Sequence, residues 1–339
     1  MCFIKRINTF AAKAFVVLAI MTIGTVTGSF KSIAQEKARI GWTGINPAAS
    51  PIWVVQEKGL LRKLGVNAEI INISSSPVAM QALLAGELDL IVSSVTTLAT
   101  SRLAGADAVM VQTLVPTFVD HIISLSSITD VRQLGGKTGG VNRSGSTSDL
   151  GLRLALRRFG LNPEKDMNIV TAGDAPARLA AMTRGILQFT IIPEPFVQEA
   201  ERLGFRDLLD SGALGIPFHW NAVLTRESLI KSRRGVVAKV VQANTEAIYF
   251  IKTNREESKA IFSKYLNLKD ATGLERAVRA YASVFPEVPT PSPEGVKTML
   301  DDLASRNPKA QNADATQYVD LSFVRELESS GFIKRLYGK

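Results

Sequence analysis

Apolar segments of strand length alternate with helical patterns along most of this chain, and the alternation runs, stops and restarts. Ser50-Pro51 caps a helix and puts proline at its first position, Ile52 and Val55 share a face, and Gly59 ends it. Val66-Asn67-Ala68-Glu69-Ile70 alternates apolar and polar residues and predicts a strand. Ser76-Pro77 opens a second helix that stops at Gly86. Residues 88–92 are apolar except for Asp89, as in a strand covered on both faces. A helix over 97–103 and a strand over 108–112 follow. This is a βαβ series, which implies a parallel or mostly parallel sheet flanked by helices.

The second series has a strand at 122–125, a helical turn at 129–134 and a strand ending at Gly139-Gly140-Val141. A basic amphipathic helix over 148–159 is closed by Gly160. A strand (168–171), a helix (174–183), a strand (189–192) and a helix (194–203) complete it. Beyond Pro217 one short strand (221–224) leads into helices over 234–253, 255–265 and 274–282. Pro286, Pro289, Pro291 and Pro293 mark a loop, and helix returns at 295–304 and 323–328. Two α/β units followed by a helical tail predict two lobes with a cleft between them.

The 339 residues are 46% apolar and 21% charged, enough for one large or two medium domains and unlike a disordered or collagenous chain. A multi-span membrane protein is excluded, because the one long apolar run lies at the N-terminus. Lys5, Arg6 and Lys13 precede that run (about 14–27), and Ser32-Ile33-Ala34 places small residues at a cleavage site. Residues 1–34 read as a secretory signal peptide cleaved after Ala34. The alternative, an uncleaved anchor, would need about 20 apolar residues. Cys2 precedes the run, so it is not a lipoprotein cysteine, and no disulfide can form within the chain. Removing four of the 40 basic side chains with the signal leaves 36 against 31 acidic ones, a net +5 spread evenly. Nucleic-acid binding is therefore disfavoured, and no cofactor or metal is expected with only His121 and His219 present. Both histidines fall where the chain should pass between lobes, and hinge packing is the reading for them.

Ligands of open α/β sheets sit at the carboxyl ends of strands, and four loops there carry candidate residues. Gly41-Trp42-Thr43-Gly44 offers an aromatic platform in Trp42 and a hydroxyl in Thr43, or a packed tryptophan in a turn. Ser93-Ser94-Val95-Thr96 supplies hydroxyls that either touch ligand or cap the next helix. Asn142-Arg143-Ser144-Gly145-Ser146-Thr147-Ser148-Asp149 joins a Gly-rich strand to a helix N-terminus and is the most specific signal. Ser144, Gly145, Ser146 and Thr147 there suit an anion. It is not a Walker loop. Ile192-Pro193-Glu194-Pro195-Phe196 presents Glu194 to a ligand amine or to a helix N-terminus, with Phe196 beside it. Asp174 is read as a helix cap. Nothing forms a catalytic set.

Gly59-Leu60-Leu61, Leu84-Ala85-Gly86-Glu87-Leu88-Asp89, Leu134-Gly135-Gly136-Lys137, the Ser144-Gly145-Ser146 loop and Ile192-Pro193-Glu194-Pro195-Phe196 occur in that order. With them the chain resembles the bacterial ABC-importer solute-binding proteins of the nitrate/sulfonate/taurine and thiamine-precursor-like group, over nearly all of residues 38–339. The resemblance implies a type II periplasmic-binding-protein fold. Lobe 1 would comprise 38–122 plus 218–339, lobe 2 would be 123–217, and two crossovers would act as hinges. It also implies a non-catalytic periplasmic protein, expected as a monomer, that passes a small anionic or aromatic-polar solute to a membrane permease. A ligand-presenting subunit of a membrane sensor is the alternative. A thiamine-pyrimidine-synthesis-like enzyme is disfavoured, since such proteins use a Cys-rich motif. Relatives often carry Asp where this chain reads Gly185-Ile186-Leu187-Gln188, so no particular ligand is carried over.

Overall fold

The computed structural model describes residues 35–304 and 307–339; the signal-peptide expectation falls outside them. Ten strands form two five-stranded sheets among the described residues.

The first sheet has the order β2-β1-β3-β10-β4, with β1 Glu36–Thr43, β2 Val66–Ile73, β3 Leu90–Ser93, β4 Ala108–Val115 and β10 Asn221–Arg226. β1 runs parallel to β2 and β3, whereas β10 is antiparallel to β3 and β4. The second has the order β7-β6-β8-β5-β9, with β5 Asp120–Ser124, β6 Thr138–Val141, β7 Asn168–Thr171, β8 Phe189–Pro193 and β9 Arg206–Asp210. There β6 is parallel to β7 and β8, and β5 is antiparallel to β8 and β9. The sheets are mixed because each receives one strand that arrives from the other sheet and enters in reverse.

Most helices occupy the expected places, and two short ones, at 60–63 and 332–336, add to them. In the first half these are α1 Ser50–Glu57, α2 Leu60–Lys63, α3 Ser76–Leu84 and α4 Val95–Leu103. The second half contributes α5 Thr147–Arg158, α6 Ala175–Thr183 and α7 Phe196–Arg202. The tail contributes α8 Glu227–Thr253, α9 Arg255–Leu266, α10 Ala271–Val284, α11 Pro293–Ala304, α12 Ser322–Ser329 and α13 Phe332–Leu336. α8 begins earlier than its apolar pattern predicts and breaks at Arg233, whose φ of −141° is not helical. Asp174 caps α6, its carboxylate accepting from the Ala177 amide, as its position before the helix predicts.

The tail packs onto the first sheet: Val236, Val237, Val240 and Ile248 of α8 share a core with Ile40, Leu90 and Val111. The second sheet has its own cores, around Ile122, Leu156 and Phe189 on one face and Ile123, Leu179 and Ile192 on the other. The chain passes from one sheet to the other twice, after β4 and after β9. Phe118 and Phe218, one from each crossing, stack at 4.1 Å with 10° between their planes. Trp220 Nε1 donates to Asp120 Oδ2 at 2.5 Å, joining the crossings a second time.

The two histidines lie at these crossings. His219 is buried; its Nε2 lies 2.9 Å from the Ser292 carbonyl oxygen and 3.1 Å from the Ser292 amide nitrogen, and its Nδ1 lies 2.9 Å from Thr113 Oγ1. Burial lowers its pKa and keeps the ring neutral. His121 of β5 pairs with Asp207 of β9 at 2.9 Å.

Candidate functional site

In both sheets the parallel strands end towards loops rich in hydroxyls, and the two sets of loops meet. In the first, Thr43 Oγ1 at the end of β1 lies 2.9 Å from Ser93 Oγ at the end of β3. It also lies 3.1 Å from Ser76 Oγ at the start of α3. Ser94 caps α4, its Oγ 2.8 Å from Thr96 Oγ1, so this hydroxyl serves the helix. The same Ser94 Oγ reaches Thr147 Oγ1 at the start of α5, 2.5 Å away on the other side of the cleft. Thr96 and Gly145 line a small cavity of about 60 Å³ next to this bond, with Thr100, Asp149, Met299 and Leu303. A larger open groove of about 880 Å³ lies elsewhere, against Arg102, Lys231 and Arg325, and contains none of the predicted residues.

The loop before α5 is built differently from its expected anion cradle. Asp149, buried in the first turn, accepts from the Gly145 amide at 2.8 Å and from Arg153 Nε at 2.7 Å. Ser146 caps the helix by accepting from the Asp149 amide. The positive end of the helix thus already faces a carboxylate of its own. Ser144 stands exposed at the tip, and Gly145 takes φ of +76° to make the turn.

Trp42 also departs from expectation. Its ring is 5% exposed and lies edge-on to Trp53 at 5.6 Å and Tyr265 at 6.0 Å, inside the core of the first sheet. Trp53 and Tyr265 in turn stack at 4.9 Å. The tryptophan fills core and offers no platform. Phe196 is half-buried against the Ile123 and Leu179 cluster.

Glu194 is where the polar chemistry concentrates. It sits just past β8, 6% exposed. Its Oε1 accepts from Arg276 Nε at 2.9 Å and Nη2 at 2.6 Å, from α10 across the cleft. Arg276 Nη1 also donates to Glu201 at 2.8 Å. Among the described residues Glu194 Oε2 is buried with no partner, and so is the hydroxyl of Tyr281, further along α10 from Arg276. Burial first, then the nearby Asp120 and Glu194 charges, push the Tyr281 hydroxyl well above its usual range. Burial likewise raises the Asp120 carboxyl, against the Trp220 hydrogen bond and the Arg178 charge.

The structure therefore brings Thr43, Ser93, Ser94 and Thr96 to one side of the cleft, and Gly145, Ser146, Thr147 and Glu194 to the other. Asp120, Arg178, Arg276 and Tyr281 were missed. Tyr281 hides on the apolar face of α10 with Leu274, Ala277 and Val278. Asp120 opens a strand, and only the second crossing supplies its partner. The signal that could have found Arg178 is a cation on a helix face otherwise made of Ala175, Leu179, Ala181 and Met182.

The model of the NMT1-like family matches residues 32–267. The chain belongs to that family. A search of curated protein sequences finds no match. Among solved structures, one from Bordetella bronchiseptica RB50 is 16% identical with a TM-score of 0.75, over 88% of this chain and 98% of that one. The periplasmic aliphatic sulphonate binding protein SsuA from Escherichia coli is 24% identical, TM-score 0.69, over 84% and 92%. The alkanesulfonate-binding protein SsuA from Xanthomonas axonopodis pv. citri, solved bound to MOPS, is 20% identical, TM-score 0.68, over 84% and 98%. The fold of this family member is accordingly the type II periplasmic-binding-protein fold, as the resemblance implied.

Proposed function

We propose that this NMT1-like protein is the extracytoplasmic solute-binding component of an ABC importer. It captures a small polar solute between two closing bodies, 38–122 plus 218–339 and 123–217, and delivers it unchanged to a membrane permease. The observation that carries the reading is the pair of buried polar atoms with no partner among the described residues, Glu194 Oε2 and the Tyr281 hydroxyl, at the meeting of α10 with the end of β8. A buried carboxylate oxygen left bare costs on the order of 1–3 kcal/mol, which a solute donor in the cleft would recover. Thr43, Ser93 and Thr96 add acceptors and donors from the facing strand ends. The sulphonate-binding descriptions of the similar SsuA structures support an importer role. Residues 1–34 act as the export signal and the mature chain works as a periplasmic monomer.

The test is a thermal-shift screen against sulfonates, nitrate, carboxylates, pyrimidines and aromatic acids, with each hit recovered and weighed by mass spectrometry. A binder raises the melting temperature by mass action. A hit recovered intact is the expected result; chemical turnover of the hit, or no shift with any class, contradicts the proposal.

A further inference from the structure

We infer that Arg178 is the residue that recognises an oxyanion group on the solute, a role that rests on the cleft reading above. Arg178 lies in the first turns of α6 and is 4% exposed. Its Nε donates to the Asp174 carbonyl at 3.3 Å, and its Nη1 donates to Thr190 Oγ1 at 3.4 Å and to the Ile191 carbonyl. Nη2, with two of the five guanidinium N–H groups, has no acceptor among the described residues, and it is not among the buried atoms sealed from solvent.

The place of this guanidinium matters as much as its bonds. Thr190 and Ile191 belong to β8, and Asp120 pairs in register with Pro193, the residue before Glu194. Arg178 thus stands at the same end of the second sheet as Glu194 and Asp120, where the parallel strands give out. Asp120 and Asp174 are the carboxylates whose fields reach it. Neither forms an ion pair with it within bonding distance among the described residues, and Asp120 is itself held towards its neutral form by burial.

A buried cation without a contacting carboxylate is unfavourable, and proteins relieve it by pairing. Burial lowers the Arg178 pKa to about 10, the Asp120 and Asp174 charges opposing, so the group stays charged at neutral pH. The two free N–H groups of Nη2 fit one or two oxygens of a carboxylate, sulfonate or phosphate. The helix loop before α5 lacks this capacity because Asp149 already occupies it. Glu194 Oε2 remains free for a donor, so the solute would carry both an oxyanion and an N–H or O–H group.

The experiment uses the full chain in titration calorimetry at pH 7 with ethanesulfonate, propionate and inorganic phosphate. Dimethyl sulfone and propionamide serve as uncharged controls. At least one oxyanion binds and the uncharged controls do not. R178Q then loses about 30-fold or more in affinity, and R178K retains part of it, because the charge stays while the fork is lost. In the wild-type chain the Arg178 Nε–Hε resonance, assigned by its absence from R178K, shifts during the titration; this readout does not require R178Q to fold. Binding that is unchanged in R178Q, or saturates without moving that resonance, removes Arg178 from recognition and leaves the cleft reading standing. Binding of dimethyl sulfone or propionamide with no oxyanion binding overturns the oxyanion class and also leaves the cleft reading standing. Failure of every solute to bind overturns both.

Discussion

Arg276 holds one oxygen of Glu194 with two of its nitrogens, at 2.6 and 2.9 Å, and leaves the other oxygen buried and bare. The arginine comes from a helix packed on the first sheet and the glutamate from the end of the second sheet. The pair is therefore a cross-cleft link as well as a means of aiming Glu194 Oε2.

Arg276→Ala should lower stability by about 1–3 kcal/mol, since it strips a largely buried carboxylate of its charged donors. It should also open the molecule. Chemical denaturation reads the first effect and small-angle scattering the second, as a larger radius of gyration. An unchanged scattering profile would show that Arg276 anchors Glu194 without holding the two bodies together.

Ser94 and Thr147 form a second polar link across the cleft, at 2.5 Å, and Arg157 of α5 adds a third, to Asp302 of α11. A double-mutant cycle with Ser94→Ala and Thr147→Ala should give a coupling of about 0.5–1.5 kcal/mol. Thr147→Ala should also shift the closed population towards open, read by fluorescence transfer between dyes placed on the two bodies. Additive single effects would show that the two hydroxyls do not sense each other in solution.

Much of this arrangement is legible in the sequence, and the parts that are not share a cause. Ser50-Pro51, Ser76-Pro77 and Asp174 mark where helices start, but only Asp174 caps: Ser50 and Ser76 stand inside the first turn, after Ala49 and Ser75, and neither of those helices has a side-chain cap. β9 was missed because Arg206 and Asp207 open it and Asp210 closes it, leaving two apolar residues at a sheet edge. The hydroxyl loops follow from strand–helix punctuation. Arg178, Tyr281 and Asp120 do not, because what makes them notable is burial without a full set of partners, and burial of a polar residue is a tertiary property. Trp42 shows the reverse: its ring meets Trp53 and Tyr265, and the second of these arrives from a distant helix.

His121 should make stability depend on pH. Burial opposes its charge, but the Asp207 hydrogen bond and the Asp207, Asp210 and Glu194 charges outweigh it and raise its pKa above the usual value of about 6.5. A folded-state pKa above the unfolded one means that the native state binds the proton more tightly. The stabilisation is complete below about pH 6.5 and is lost as pH rises through the folded-state value. His121→Gln should therefore destabilise more at pH 5.5 than at pH 9, measured by denaturant unfolding at both. Equal losses at the two pH values would remove the ion pair as a source of stability.

Gly139 in β6 tests how tightly the second sheet is packed under the site. A Cβ built there would stand 2.2 Å from Phe189 Cε2 and 2.3 Å from its Cζ. Phe189 is fully buried and pairs with Gly139 in the parallel register, so its ring cannot swing away without displacing Leu156 and Ile191. Gly139→Ala should cost about 1–3 kcal/mol through overpacking. The same substitution should also move the loop that follows β6, because β6 leads directly to Asn142 and the Ser144–Thr147 turn. Solute affinity should then fall along with stability. The second change Phe189→Leu, which frees the space, should restore both. Rescue of stability without rescue of affinity would show that the strand's packing and the loop's position are set independently.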